Sequence, residues 1–153
     1  MRLTGFLRRA RHRATLLTRP LSIGVRAMVE DDEGGLLLVR HTYVAGWHFP
    51  GGGVDPHETV VQAAIREVRE ETGIAVEGAP ELVGLFLNRN FSTRDHVALY
   101  RCRRWRVEQE FTANWEIAEA RFFPRDGLPA DLSAGTRRRI AEVDHGAPAS
   151  PEW

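Results

Sequence analysis

Residues 52–74 read GGVDPHETVVQAAIREVREETGI and are the most informative part of the chain. The run Asp55-Pro56-His57-Glu58 has the residues that open a helix: an N-cap acid, a proline at the first helical position and a glutamate three residues after the cap. Gly73 is a typical residue directly after a helix. The pattern therefore predicts one helix that opens at Asp55 and continues to Thr72.

Three acids of this helix share one face. Glu67, Glu70 and Glu71 stand at positions i, i+3 and i+4, so their carboxylates project from a surface about one turn long. Because three like charges repel, a hard divalent cation such as Mg²⁺, which prefers oxygen ligands and substrate phosphates, would stabilise them. The alternative is a solvated acidic stripe, tempered by the pair Arg66 and Glu70, which is worth about 0.2–0.5 kcal/mol.

The loop before the helix favours the cation. Gly51, Gly52 and Gly53 permit backbone conformations closed to other residues, so a metal or ligand can approach the main chain closely. A glycine triplet alone is weak evidence, but this one directly precedes the acidic helix. Together the two features predict a site for a metal and a phosphate-containing ligand.

The spacing of these residues resembles the Nudix box of the Nudix (MutT-like) hydrolases. Every defining position is filled: Gly52, Glu58, Arg66-Glu67-Val68, Glu70-Glu71 and Gly73-Ile74. The resemblance extends to residues 36–40 (LLLVR), 47–50 (WHFP) and 119–124 (EARFFP), which look like the strand before the box, its entry loop and a late strand.

This resemblance implies a fold, a reaction and a cofactor. The expected fold class is α/β, an α/β/α sandwich with a mixed β-sheet and an additional N-terminal amphipathic helix. The expected reaction is hydrolysis of the diphosphate bond in a nucleoside diphosphate linked to another moiety, with Mg²⁺ (or Mn²⁺) as cofactor. Cations would neutralise the pyrophosphate, lower the pKa of a bound water and align it for attack at phosphorus.

The resemblance also implies roles within the motif. Glu67, Glu70 and Glu71 would hold the metal together with the backbone carbonyl of Gly51 or Gly52, with Gly52 taken as the expected ligand. Arg66 would orient a neighbouring glutamate and complete the expected catalytic set, although a solvent-exposed ion pair is the alternative. Glu58 either caps the helix or orients the metal-binding residues without binding the metal itself.

Substrate contacts and the general base are less closely defined. Glu67 and Glu71 are candidates for the base within the motif, and Glu116 and Glu119 are candidates outside it. Arg26 either binds phosphate or forms a surface ion pair with Glu30 or a neighbouring acid. The expected substrate-binding residues are Arg26, Arg40, Gly51, Gly53 and Glu116.

Two histidines and two aromatic residues have alternative interpretations. His48 and His96 lie near loops that could border the site and suit proton transfer, although a hydrogen-bonded structural histidine is commoner. Trp47 and Phe91 could stack on a nucleobase, although an aromatic residue beside a strand more often belongs to the core.

The remaining pattern predicts one Nudix domain over residues 20–145. Alternating residues 22–30, the polar run 31–35 and residues 36–40 predict a β-hairpin. Strands are expected at 81–87, 96–102 and 120–123, and a closing helix at 133–143. Residues 146–153 are expected to form a flexible, frayed C-terminal tail.

Composition excludes several classes of protein. The 153 residues are 42% hydrophobic and 27% charged, which fits one folded domain rather than a disordered chain. No apolar run approaches the ~20 residues of a membrane helix, and the N-terminus lacks the apolar core of a secretory signal. The single cysteine, Cys102, fits a reducing compartment. We therefore expect a cytoplasmic protein that is not in a membrane.

Charge is balanced overall but not along the chain. With 21 basic and 21 acidic residues, no global field draws the protein to nucleic acid. Residues 1–19 are nevertheless predicted to form a basic amphipathic helix that ends before Pro20, and the first 29 residues hold seven arginines and no acid. This helix could dock on the domain or a second copy, contact RNA or an anionic membrane, or be a removed targeting leader.

Three hypotheses about function remain. The first is a hydrolase of a nucleotide or nucleotide sugar. The second is an RNA 5′-end pyrophosphohydrolase, for which the basic leader is the only support, so nucleic acid is the less favoured partner. The third is a non-catalytic nucleotide-sensing module, against which the intact Glu67, Glu70 and Glu71 argue.

Overall fold

The structure is a computed structural model that describes residues 21–146 and 148–153. The helix predicted over residues 1–19 lies outside the described residues. The described elements are β1 (Ser22–Val29), β2 (Leu36–His41), β3 (Trp47–His48), α1 (Val60–Thr72), β4 (Ile74–Val76), β5 (Glu81–Leu87), β6 (Asp95–Cys102), β7 (Trp105–Val107), β8 (Ile117–Phe123), a 3₁₀ turn (Arg125–Gly127) and α2 (Ala134–His145).

The described strands form a mixed sheet of three strands, an antiparallel sheet of three strands and an antiparallel pair. In the order β1-β6-β5, β6 runs parallel to β1 and antiparallel to β5; the others are β3-β2-β8 and β4-β7. The predicted hairpin is wrong, because β1 and β2 enter different sheets and meet only in a bridge between Glu30 and Leu36. Alternation identifies a strand but not its partner, and β6 pairs with β1 along its whole length.

Alternation along β1 places the two helices on opposite faces. Val25, Ala27 and Val29 belong to core clusters that include α1, through residues such as Val68. Met28 points the other way, into the cluster that contains Ile140 of α2. The expected α/β/α arrangement with a mixed sheet is therefore confirmed.

Helix α1 begins four residues later than predicted, at Val60 rather than Pro56. Its N-cap is Thr59, whose side chain accepts a hydrogen bond from the Gln62 N–H. The Gln62 side chain in turn accepts the Thr59 N–H, and the C-cap is Gly73 as expected. The stretch 55–58 forms a turn in which the Asp55 N–H donates to Glu58 at 2.9 Å. His57 has a φ of 71°, a left-handed conformation that cannot continue a right-handed helix, so the helix must start after it.

The C-terminal segment is packed rather than frayed. Glu152 bridges to Leu87, and Trp153 packs against the core cluster of α2. Arg139, fully buried on α2, donates to the carbonyls of Ser150 and Glu152 at 3.2 Å each. The expectation of a flexible tail is wrong for residues 148–153, because the buried guanidinium needs the acceptors that this segment supplies. Among the described helices, none is long and apolar enough to cross a membrane.

Candidate functional site

A cavity of about 330 Å³ opens where the glycine loop, α1 and the end of β2 meet. It contains most of the predicted substrate-binding residues together with one of the three predicted metal-binding glutamates. The residues that line it are Arg26, His41, Tyr43, Val44, His48, Gly51, Gly52, Gly53, Glu67 and Glu116.

The glycine loop lies directly against β1. The N–H groups of Val25 and Ala27 donate to the carbonyls of Gly52 and Pro50 at 2.8 and 2.9 Å. Gly51 has a φ of 148°, and a Cβ there would overlap the Val25 carbonyl. A Cβ on Gly52 would overlap the Glu67 carboxylate. Glycine is therefore needed for the main chain to pass between β1 and the acids of α1.

Arg66 holds the acidic face in place. Its guanidinium donates to both oxygens of Glu58 at 2.9 and 3.1 Å, to Glu67 at 2.8 Å and to Glu70 at 3.1 Å. It also donates to the Gly53 carbonyl at 3.0 Å, which ties α1 to the glycine loop. These bonds from Arg66 hold the pKa of Glu58 below its ordinary value. Glu58 thus both fixes the turn before α1 and anchors Arg66.

The three glutamates have different environments. Glu71 is buried and accepts the Gly51 N–H at 2.8 Å, whereas the side chain of Glu70 is half exposed. Burial raises the pKa of Glu71 to about 8, a shift that Arg26 and the Gly51 N–H oppose and Glu67 reinforces. Burial also raises the pKa of Glu67. A bound cation would favour the ionised form of both carboxylates, so this donor set of crowded oxygens fits a hard divalent ion.

Arg26 and Arg40 occupy different places. Arg26 lines the cavity, donates to the Phe49 carbonyl at 2.9 Å and has a pKa that burial lowers. Its alternative pairing with Glu30 is wrong, because Glu30 is engaged by Arg101 and Arg125. Arg40 instead forms an ion pair with Glu119 across β2 and β8. The structure does not bring Arg40 or Glu119 into the cavity.

The two histidines and two aromatic residues predicted near the site also differ in whether they reach the cavity. His48 lines the cavity and its Nε2 lies 3.0 Å from the Ala45 carbonyl, whereas His96 is not among the lining residues. Trp47 is a core residue that packs edge-on against Phe123. Phe91 is not a core residue, since it is 76% exposed, and it borders an adjoining cavity of about 380 Å³ that shares Arg26, Gly52 and Gly53 with the first.

His41 is the functional candidate that sequence reasoning missed. It ends β2, is 8% exposed, and neither ring nitrogen has a hydrogen-bond partner among the described residues. Burial lowers its pKa to about 4, with Arg26 and His48 contributing. The pairing with β8 is irregular beside it: Arg40 pairs with Glu119 and His41 with Ile117, so the extra residue, Ala118, lies on β8. Alternation in β2 places His41 on the same face as Val39, but no motif in the sequence marks it as a site residue.

Glu116 lies beside His41, just before the strand that pairs with β2. Thr42 N–H donates to the Glu116 carbonyl at 2.9 Å, and the Tyr43 hydroxyl donates to its carboxylate at 3.3 Å. Ligand atoms of His41, Glu71 and Glu116 all lie within 4.8 Å of one another. An acid from outside the motif therefore meets an acid of α1 and a buried imidazole.

Comparison with known proteins identifies the family. The sequence model of the NUDIX domain matches residues 20–143, so the chain belongs to the Nudix (MutT-like) hydrolase family, and the predicted resemblance is confirmed. A crystal structure of a MutT NUDIX hydrolase from Burkholderia pseudomallei superposes with a TM-score of 0.69 and 27% identity, covering 80% of this chain and 97% of that one.

Two further relatives are similar to part of the chain. A MutT-like protein of Streptomyces ambofaciens is 41% identical over 83 residues, 54% of this chain and 51% of that protein. An ADP-ribose pyrophosphatase of Methanocaldococcus jannaschii is 30% identical over 110 residues, 71% of this chain and 64% of that protein. The matches thus span about half of the first relative and under two thirds of the second.

Proposed function

We propose that the protein is a divalent-cation-dependent pyrophosphohydrolase that cleaves the diphosphate bond of a nucleoside diphosphate linked to another moiety, in a nucleotide or nucleotide sugar. The observation that carries this proposal is Arg66, which bonds to Glu58, Glu67 and Glu70 and to the glycine loop at once. Similarity to an ADP-ribose pyrophosphatase supports the substrate class. The cytoplasm remains the predicted compartment.

The metal ligands in this proposal are Glu67, Glu70 and Glu71 with a main-chain carbonyl of the glycine loop. The Gly52 carbonyl already accepts a hydrogen bond from the Val25 N–H. The Gly51 carbonyl is therefore the freer of the two carbonyls to bind a metal. Mg²⁺ fits these oxygen ligands, and Mn²⁺ is a substitute. When bound, the cation supplies charge neutralisation at the diphosphate and lowers the pKa of coordinated water.

The chain's own residues would bind and orient the substrate. Arg26 supplies a positive charge inside the cavity, and the open main chain at Gly51 and Gly53 allows phosphate oxygens to approach. Arg66 keeps Glu67 and Glu70 in one orientation, so the carboxylates need not reorganise when the substrate arrives. Arg40 has no role in this proposal, because it pairs with Glu119 outside the cavity.

Glu116 is the better placed of the two base candidates outside the motif. It lines the cavity and is half buried, whereas Glu119 is engaged by Arg40. Tyr43 fixes the orientation of the Glu116 carboxylate. We therefore propose Glu116 as the group that accepts the proton from water, with Glu67 and Glu71 as the alternatives within the motif.

The test is product release in excess Mg²⁺ across nucleoside triphosphates, ADP-ribose, nucleotide sugars, dinucleoside polyphosphates and triphosphorylated RNA. Glu70→Gln removes a charge from an exposed position and should abolish turnover without unfolding the protein. Glu33→Gln, in the exposed turn after β1, is the matched control that removes the same charge far from the cavity.

The outcomes separate the hypotheses. A Glu70→Gln variant with near wild-type activity would exclude Glu70 as a metal ligand. A hit confined to triphosphorylated RNA would favour the RNA 5′-end activity, and nucleotide binding without turnover would favour a sensing module. A homodimer formed through residues 1–19 remains a prediction, which light scattering with and without that segment tests.

A further inference from the structure

His41 is a buried polar side chain with no partner. The side chain is 6% exposed, lines the cavity, and has two ring nitrogens that bond to no other described residue. Its Nε2 lies 3.9 Å from Glu71 Oε1, which is too far for a hydrogen bond. Buried polar groups almost always have a partner, so an imidazole left free in this way indicates a ligand.

Three different elements converge on this imidazole. His41 ends β2, Glu71 is in the last turn of α1, and Glu116 directly precedes β8. One ligand atom from each lies within 4.8 Å of the other two. Ligands about 2.0–2.2 Å from a shared ion lie roughly 3–4 Å apart, so a small rotation of the half-buried Glu116 side chain completes the set.

The backbone around Glu116 is already fixed for such a role. The Asn114 side chain accepts the N–H groups of Glu116 and Ile117 at 2.8 Å each. The Glu116 carbonyl accepts the Thr42 N–H at 2.9 Å, one residue after His41. Only the carboxylate has to move, because the main chain holds the two ligands side by side.

We propose that His41, Glu71 and Glu116 form a second cation site, selective for divalent transition-metal ions, beside the glutamates of the proposed hydrolytic centre. The site rests on the proposed function in two respects: Glu71 serves both centres, and Glu116 accepts the proton from water only while this site is empty, with Glu67 as the base when it is filled. Mg²⁺ prefers oxygen ligands, whereas Mn²⁺, Co²⁺ and Zn²⁺ also accept imidazole nitrogen, so His41 determines the selectivity.

The charges of the cavity suit an additional cation. The carboxylates of Glu67, Glu71 and Glu116 act on one another there, and Arg66 pairs with Glu67 at 2.8 Å. His48, the other imidazole beside His41, is engaged by the Ala45 carbonyl, and the Tyr43 ring centroid lies 5.4 Å from that of His41. Glu71 and Glu116 thus share Arg26, the arginine that lines the cavity, and their charge is only partly compensated.

The test uses Mn²⁺ as the probe, added to the metal-depleted full chain in excess Mg²⁺ and without nucleotide. Pulsed EPR should detect one Mn²⁺ equivalent with a directly bonded nitrogen, and calorimetry gives its affinity. In His41→Gln the nitrogen coupling should disappear and the affinity should fall about tenfold or more. The matched variant His48→Gln should keep both.

Other results would overturn the site. These are wild-type protein without nitrogen coupling, coupling that survives His41→Gln, or coupling that is lost in His48→Gln. If His41→Gln does not fold, Glu116→Gln decides, because it changes a half-buried residue: about tenfold weaker Mn²⁺ binding is expected, and unchanged affinity would refute the site.

One further variant separates this site from the proposed function. Glu70→Gln should abolish hydrolysis but keep the nitrogen-coupled Mn²⁺, because Glu70 is not one of the three ligands. An active enzyme without coupling refutes the second site alone. A coupled protein that hydrolyses nothing in the substrate panel refutes the proposed function alone.

Discussion

Replacement of Gly51 by alanine should destabilise the whole domain through the glycine loop. The new Cβ would overlap the Val25 carbonyl, and the φ of 148° is one that other residues rarely adopt. Backbone strain of this kind costs about 1–3 kcal/mol. A loop that shifts to relieve it would also lose the 2.8 Å bond from the Gly51 N–H to Glu71, worth roughly 0.5–1.5 kcal/mol because Glu71 keeps its proton in the metal-free protein.

The two costs do not add fully, because a loop that shifts relieves some of the strain as it loses the hydrogen bond. We therefore expect the free energy of unfolding to fall by about 2–4 kcal/mol. With a urea dependence near 2 kcal/mol per molar, the unfolding midpoint should fall by about 1–2 M. The assay is equilibrium urea unfolding of metal-free protein, followed by tryptophan fluorescence.

Gly53→Ala is the matched control from the same loop. Among the described residues, no heavy atom lies within 4 Å of the added Cβ, and the φ of Gly53 is outside the left-handed region. Its unfolding free energy should change by no more than about 0.5 kcal/mol. Equal losses in the two variants would refute the reasoning, because the loss would then not depend on the contact between position 51 and the Val25 carbonyl.

Three further predictions follow from the site and the core. Arg66→Lys should lower kcat/KM about 10–100-fold in steady-state kinetics, because lysine cannot bond Glu58 and the metal-binding face together, and Arg69→Lys on the exposed side of α1 should not. Without metal, the free energy of unfolding should fall as pH rises from about 5 to 8. In the folded state Glu71 keeps its proton up to a pKa of about 8, whereas in the unfolded chain the same carboxyl group loses its proton near the ordinary pKa of glutamate. Urea unfolding in EDTA measures this dependence, which should be weaker in Glu71→Gln. Trp153→Ala should cost about 3 kcal/mol in thermal unfolding by uncovering Arg139 and Phe86, whereas Trp115→Ala, at an 82% exposed position, should be neutral.

Local patterns predicted the local structure well. The body of α1, its end at Gly73 and the strand at residues 81–87 follow from periodicity and cap residues. The start of α1 was wrong because Asp55-x-x-Glu58 and Thr59-x-x-Gln62 both fit a capping box, and only the left-handed His57 between them excludes the earlier one. Pairing partners were not predictable, since alternation in β1 carries no information about β6.

The acidic face was predictable for the same local reason. Glu67, Glu70 and Glu71 share a helix, so spacing alone places them together. His41 ends β2 and Glu116 precedes β8, so they meet only because these two strands pair, which the sequence does not show. The sequence could not decide between the two roles of Arg26, because only the structure shows that Glu30 is bonded to Arg101 and Arg125 instead.

The parallel pairing of β1 with β6 has a consequence for folding kinetics. The Ser22 side chain forms a hydrogen bond to Asp95, 73 residues away in the sequence. The glycine loop is hydrogen-bonded to the other edge of β1. Closing the long loop between β1 and β6 is slow compared with forming either helix. In refolding, helical circular dichroism should therefore recover before the chain can bind a divalent cation, and the delay between them should lengthen in variants that weaken the β1–β6 ladder.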